Sequence, residues 1–359
     1  MHSGDFSKVA KHFNCTTVKR YFDYLQICRG IAALMVVVHH TYPSMQFFRK
    51  FDNTIIEGIA HMGKFGVDFF FVLSGFIIAY TTYEKSNQSK KLKNYCVNRL
   101  IRIFVPYLPI GILMYVLYLI VPSMSSSVRD INFWNSVFLV PIGNPALSVA
   151  WTLSFELCFY LIYSIYFVTS RKAFFALLAG WFVLIVISNF ITPIQFLGST
   201  HLLNLYNLEF LMGVVVACLS KNKPYDSKVL LFAFIVLFIP LIYIRTNGLD
   251  LGFKFSLNFL FALSTSLLVF YLVNSTNKKF KSISFFMMLG NSSYSLYLLH
   301  NPLQSLLVRL LPDFNNYMVV FVEFLFVIFI CCAMSYIYYL IFEKKLLNFI
   351  KAKLFCNAS

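Results

Sequence analysis

The chain has 359 residues, is 59% hydrophobic and only 12% charged, and carries a formal net charge of +16. A soluble domain of this size has about twice that charged fraction, so the composition excludes a soluble globular protein and indicates a polytopic membrane protein. The excess of Lys and Arg argues against a nucleic-acid binder, because it sits in short segments between apolar runs, where membrane proteins concentrate cytoplasmic positive charge.

Ten apolar runs follow one another near 25–43, 64–82, 103–121, 149–168, 173–191, 203–219, 228–244, 255–273, 286–310 and 317–342. Runs of roughly 17–25 residues are long enough to cross a bilayer as helices. With the N-terminus placed in the cytoplasm, 22 of the 30 Lys and Arg residues fall in the segments that would then lie inside. Every inside segment is basic and no outside segment is strongly so, as the positive-inside rule requires. The expected fold is an all-α polytopic membrane bundle of about ten helices with both termini cytoplasmic. Residues 1–24 form a cytoplasmic N-terminal segment, 25–346 the transmembrane domain and 347–359 a cytoplasmic tail. The first 20 residues are polar, so no cleavable signal peptide is expected. The eight cysteines show neither metal-ligand spacing nor a disulfide framework.

Five ionisable residues lie inside these runs: Arg29, Asp68, Glu156, Glu209 and Glu323. At a helix centre each such group costs about 2.5–3.5 kcal/mol if it faces lipid, so together they must face protein or a wet cavity. In the first run Arg29 and His40 are eleven residues apart. On a helix that is about 16 Å along the axis and about 20° around it, so the two share a face. His39 is turned about 100° from His40 and leaves that face. The alternating directions of the runs place His40, Asp68, Glu156, Glu209 and His300 at similar outer depth. Arg29 is joined on the cytoplasmic side by Arg99 and Arg102.

This arrangement suits a two-sided transfer reaction. Arginines bind phosphates through forked hydrogen bonds. A neutral histidine removes a proton from a hydroxyl, and a carboxylate orients its ring. The residues therefore suggest transfer from a phosphate-bearing cytoplasmic donor to an alcohol near the outer face, with Glu156 and Asp68 both open as the orienting carboxylate. Lys64, four residues before Asp68, is placed to pair with it on one helix face.

Six segments resemble one family. They are Arg29-x10-His40 within YLQICRGIAALMVVVHH, GKFGVDFFFVLSGFIIAY at 63–80, NRLIRIFVPY at 98–107, WTLSFELCFYLI at 151–162, LEFLMG at 208–213 and YSLYLLHNP at 294–302. Their order and placement are similar to the acyltransferase-3 family of integral membrane acyltransferases, which O-acylate bacterial surface and secreted glycans. Thr152 stands where that family often has Ser, and Leu157 where a second Glu is frequent. The resemblance implies acyl-CoA, usually acetyl-CoA, as the donor and co-substrate, with no metal. It implies His40 as the essential histidine and Arg29, Arg99 and Arg102 as donor-binding residues. The acceptor would be a sugar hydroxyl of a lipid-linked or nascent polysaccharide, such as an O-antigen, capsule or exopolysaccharide, and the location a bacterial inner membrane. The alternatives from other classes are a transporter or flippase, which would move solute without consuming acyl-CoA, and a glycan polymerase, which would carry a large catalytic outside loop.

Overall fold

The computed structural model describes residues 5–121, 130–196, 198–222, 227–246, 254–274, 284–313 and 316–356. Fifteen α-helices occur among them: α1 (Asp5–Arg49), α2 (Thr54–Met62), α3 (Phe65–Thr82), α4 (Leu92–Ile120), α5 (Phe133–Phe138), α6 (Trp151–Ser164), α7 (Arg171–Phe190), α8 (Ser199–Leu202), α9 (Tyr206–Asn222), α10 (Ser227–Thr246), α11 (Lys254–Asn274), α12 (Ser284–Asn291), α13 (Ser293–Leu310), α14 (Tyr317–Tyr338) and α15 (Leu347–Cys356). A π-helical segment, Tyr339–Leu346, joins α14 to α15. The only β feature among the described residues is an isolated bridge between Ile131 and Asn144.

Local chemistry sets many of the helix ends. Asn53, Asn132 and Asn316 accept hydrogen bonds from the first free amides of α2, α5 and α14, satisfying donors that have no partner inside the helix. Lys50 takes a left-handed conformation, φ 49°, and ends α1. The apolar run near 286–310 is not one helix. It breaks at Ser292 between α12 and α13, within Gly290-Asn291-Ser292-Ser293, a string of weak helix formers. Helix α2 lies between the first two apolar runs.

Among the described residues, five helical stretches are long and apolar enough to cross a membrane: Thr54–Lys85, Ser89–Ile120, Ser148–Phe167, Arg171–Phe190 and Tyr317–Leu354. Two shorter apolar helices cover Lys228–Ile244 and Phe259–Asn274. Large apolar side chains such as Phe182, Val183, Val236, Ile239, Val322 and Phe329 point out of the bundle. A surface of this kind is stable against lipid and not against water.

Helix α1 packs along α12, α13, α3 and α2, and α3 packs along α9. One buried apolar cluster joins α3, α4, α6, α7, α9 and α13. A second joins α1, α2, α12, α13 and α14. Glycines bring α3 and α9 together. A Cβ on Gly75 would lie under 3.0 Å from the Phe210 carbonyl oxygen, and one on Gly213 would meet the Val72 carbonyl in the same way. Small residues permit such close backbone approach in membrane helices, where dispersion contacts replace the hydrophobic drive. The Gly residues of FFFVLSGF and LEFLMG therefore form one contact.

A buried ion pair ties three helices at one end of the bundle. Arg49 Nε lies 3.1 Å from Glu323 Oε1, and both side chains are about 5% exposed. The same guanidinium donates to the carbonyls of Val308 and Leu311 at 2.5 and 2.7 Å. Glu323, one of the five intramembrane charges, is thus matched by an arginine at the end of α1.

Candidate functional site

Helix α1 is unbroken from Arg29 to His40, so their separation is about 16 Å by the helical rise. Two distinct clusters form at those two depths.

The first surrounds Arg29. An internal cavity of about 80 Å³ is lined by Arg29, Ser74, Arg102, Thr152, Glu156, Tyr294 and Tyr297, with Phe70, Phe71 and other apolar neighbours. That volume holds a few waters or an acetyl-sized group. Ser74 Oγ donates to Glu156 Oε1 at 3.0 Å, and the Tyr160 hydroxyl donates to the same oxygen. Tyr160 follows Glu156 by four residues, one helical turn on the same face. Arg29 donates to Gln26 Oε1 at 3.2 Å and lies within electrostatic reach of Glu156, Glu343, Tyr160 and Arg102. Two guanidinium groups so close repel each other, and the two carboxylates offset that repulsion.

Arg102 also lines a second, larger pocket. This one holds about 470 Å³ at the end of the bundle where α4 begins, and its polar lining includes Lys85, Lys91, Asn94, Asn98, Arg99 and Lys351. Arg99 sits over the rings of Tyr95 and Tyr160, 5.7 and 5.4 Å from their centroids. Cations with aromatic and amide neighbours in a pocket of this volume can hold an anionic, ring-bearing ligand. Arg102 lines both the basic pocket and the inner cavity, so the two approach each other at its side chain.

The second cluster surrounds His40. Its ring makes no hydrogen bond among the described residues and packs against the rings of His39 and His300, with centroids 4.9 and 5.1 Å away. Lys64 lies within electrostatic reach of it. His39 is engaged elsewhere, with Nδ1 2.7 Å from the Ala60 carbonyl oxygen. His300 is fully buried. Its Nδ1 is 3.0 Å from the Leu296 carbonyl oxygen, which can only accept, so Nδ1 carries the proton and Nε2 is a bare acceptor. That Nε2 has no hydrogen-bond partner among the described residues. Tyr297 joins the two clusters: it lines the inner cavity, its hydroxyl meets Thr152 Oγ1 at 2.8 Å, and its ring centroid is 5.8 Å from that of His300.

Glu156 does not sit where the run directions placed it. Glu156 belongs with Arg29 and Arg102, not at the depth of His40. Its carboxylate accepts from Ser74 of α3 and lines the cavity that Arg29 and Arg102 also line. Asp68 is buried, and its carboxyl lies close to that of Glu209 across the α3–α9 contact. Among the described residues Glu156 makes no hydrogen bond to His40.

Glu343 was not singled out from the sequence. It accepts from both the amide and the hydroxyl of Ser295, near the N-terminus of α13, and it faces Arg29 and Arg102 electrostatically. The π-helical turn that carries it shifts the helix phase, which no α-helical reading of IFEKKL anticipates. Tyr160 was legible as the fourth residue after Glu156, and Ser74 as the polar residue of VLSGF. Among the described residues no cluster of three or more His, Cys, Asp or Glu could hold a metal ion.

The family described as "Acyltransferase domain", acyltransferase-3, matches residues 22–340. No curated protein and no solved structure matches. The match spans both clusters and nearly all of the helical bundle, and the chain is therefore a membrane protein of the acyltransferase-3 family.

Proposed function

We propose that this chain transfers an acetyl group from acetyl-CoA, bound from the cytoplasm, to a sugar hydroxyl of a surface or secreted polysaccharide. It would act in a bacterial inner membrane with both termini inside. What supports this reading is the placement of Arg102 in the lining of both the basic pocket and the inner cavity, and of Tyr297 between that cavity and the histidine pair. Arg99, Arg102 and the surrounding lysines would hold the CoA phosphates. The thioester would reach past Arg29 into the bundle. His40 would take the proton from the acceptor hydroxyl as its oxygen attacks the thioester carbonyl. The C–O bond forms, the C–S bond breaks, and the thiolate leaves as CoA after receiving a proton. Glu156, Tyr160 and Glu343 would set the charge around Arg29.

The test uses purified protein in lipid nanodiscs with labelled acetyl-CoA, alongside mass spectrometry of surface glycan from cells with and without the gene. The expected result is one added acetyl mass per modified sugar. Removing a general base costs about 10²–10⁴-fold in rate, so His40→Ala should reduce transfer by that factor while inserting normally. Full activity of that variant would end the mechanism. Arg29→Ala should chiefly raise the KM for acetyl-CoA; a change confined to acceptor choice would contradict the two-ended arrangement.

A further inference from the structure

A histidine that removes a proton from a hydroxyl needs its ring held and its second nitrogen protonated. A carboxylate commonly does both, but among the described residues no carboxylate acts on the His40 or the His300 ring. The charged and titratable groups that face them are His39 and Lys64, with Tyr297 against His300. His39 is tied to Ala60 through Nδ1, and the Tyr297 hydroxyl is taken up by Thr152 and the Val149 carbonyl. The group that does lie against His40 is His300, with ring centroids 5.1 Å apart and planes tilted by 41°.

The surroundings of the two rings suit a base and its partner. His40 is half-buried, whereas His300 is fully buried. The Leu296 carbonyl, one turn earlier in α13, holds the His300 Nδ1–H, so this ring is fixed to its own helix in one tautomer. Nε2, on the other side of the ring, points away from that bond and is buried without a partner among the described residues. An acceptor left in that state costs about 1–3 kcal/mol, and a native protein keeps one where it serves a function. Two imidazoles joined by an N–H···N bond of about 2.9 Å have ring centres roughly 5 Å apart. The observed separation already meets that value, so a turn of the His40 ring makes the bond without movement of α1 or α13.

We propose that His300 is the positioning residue of His40, its Nε2 accepting the N–H of the His40 nitrogen turned away from the acceptor hydroxyl. The proposal rests on the acyltransfer reading above. The bond leaves the other His40 nitrogen bare to take the hydroxyl proton. It strengthens as His40 becomes an imidazolium, because a charged donor makes the stronger hydrogen bond. The hydroxyl proton passes to His40, the C–O bond forms, the C–S bond breaks and the proton leaves with the thiolate; His300 gains and loses none. A neutral imidazole does this without placing a further charge inside the membrane. Because the gain arrives as charge develops on His40, it belongs to the transition state, and its loss lowers kcat and not substrate binding.

The experiment follows transfer from labelled acetyl-CoA by the full chain in nanodiscs, with polysaccharide isolated from cells lacking the gene as acceptor. His300→Leu removes the accepting nitrogen. Its kcat should fall about 10–100-fold, the loss of one hydrogen bond to a charged group, while the KM values for acetyl-CoA and polysaccharide stay within about twofold. His300→Gln places an amide atom as many bonds from the backbone as Nε2 and should restore most of the rate. His300→Asn reaches only the position of Nδ1 and should be as slow as His300→Leu. In a His40→Ala background His300→Leu should cost nothing further, because the partner acts through His40. His300→Leu also removes an unpaired buried acceptor, so it should unfold near the wild-type temperature. Full activity of His300→Leu, equal rates for the Gln and Asn variants, rates that follow melting temperature across the three, or a further loss in the His40→Ala background would each overturn the proposal and leave the acyltransfer reading standing. No consumption of acetyl-CoA by the wild-type chain would remove both.

Discussion

The Arg49–Glu323 pair gives a sharp test of the packing at one end of the bundle. Arg49→Leu removes the partner of a buried carboxylate, and breaking such a pair costs about 3–5 kcal/mol. It also strands the Val308 and Leu311 carbonyls that Arg49 now satisfies at the end of α13, for about 1–3 kcal/mol each. Glu323→Leu leaves Arg49 charged, but three carbonyls, those of Phe48, Val308 and Leu311, still receive its protons. Its cost should lie at the lower end of the range, about 3 kcal/mol. The double variant removes the orphaned carboxylate and should recover about 2 kcal/mol relative to Arg49→Leu. The assay is equilibrium unfolding in mixed micelles with increasing SDS, read by tryptophan fluorescence. Equal losses for the two single variants, or a double variant that is the sum of both, would refute the idea that Arg49 acts at once as ion-pair partner and as helix cap.

Gly75→Val should destabilise by about 1–3 kcal/mol, because the α3–α9 backbones must separate, and thermal unfolding in detergent reads that loss. Glu343→Ala should lower stability by about 2 kcal/mol through its lost charge-assisted bonds to Ser295 and raise the KM for acetyl-CoA; an unchanged KM would detach Glu343 from the arginine cluster. Arg102→Ala should weaken acetyl-CoA binding more than Arg99→Ala, since only Arg102 lines both pockets, and a direct binding titration ranks them. Tyr297→Phe should lower the transfer rate with little effect on donor binding if Tyr297 links the inner cavity to the histidines; an effect on donor affinity alone would contradict that link.

Much was legible before any coordinates. Composition and the spacing of apolar runs required a membrane helix bundle, because uncharged runs of that length have no stable place in water. Periodicity along α1 put Arg29 and His40 on one face and His39 off it, and His39 indeed bonds to Ala60 of α2. Local periodicity is readable because the helical rise and twist are fixed by the backbone alone.

Depth was not readable across helices. Glu156 was assigned to the histidine level and lies with Arg29 and Ser74, because nothing in WTLSFELCFYLI reveals how high α6 sits against α1 and α3. The partnerships Asp68–Glu209, Arg49–Glu323 and Glu343–Ser295 join residues 48 to 274 positions apart, and a single sequence carries no signal for contacts of that separation. The sequence by itself determined that charges must be hidden from lipid and which helices carry them, since the cost of exposing them to hydrocarbon is a property of each residue. Which charge meets which was decided only when the helices packed, because pairing depends on the relative height and rotation of whole helices.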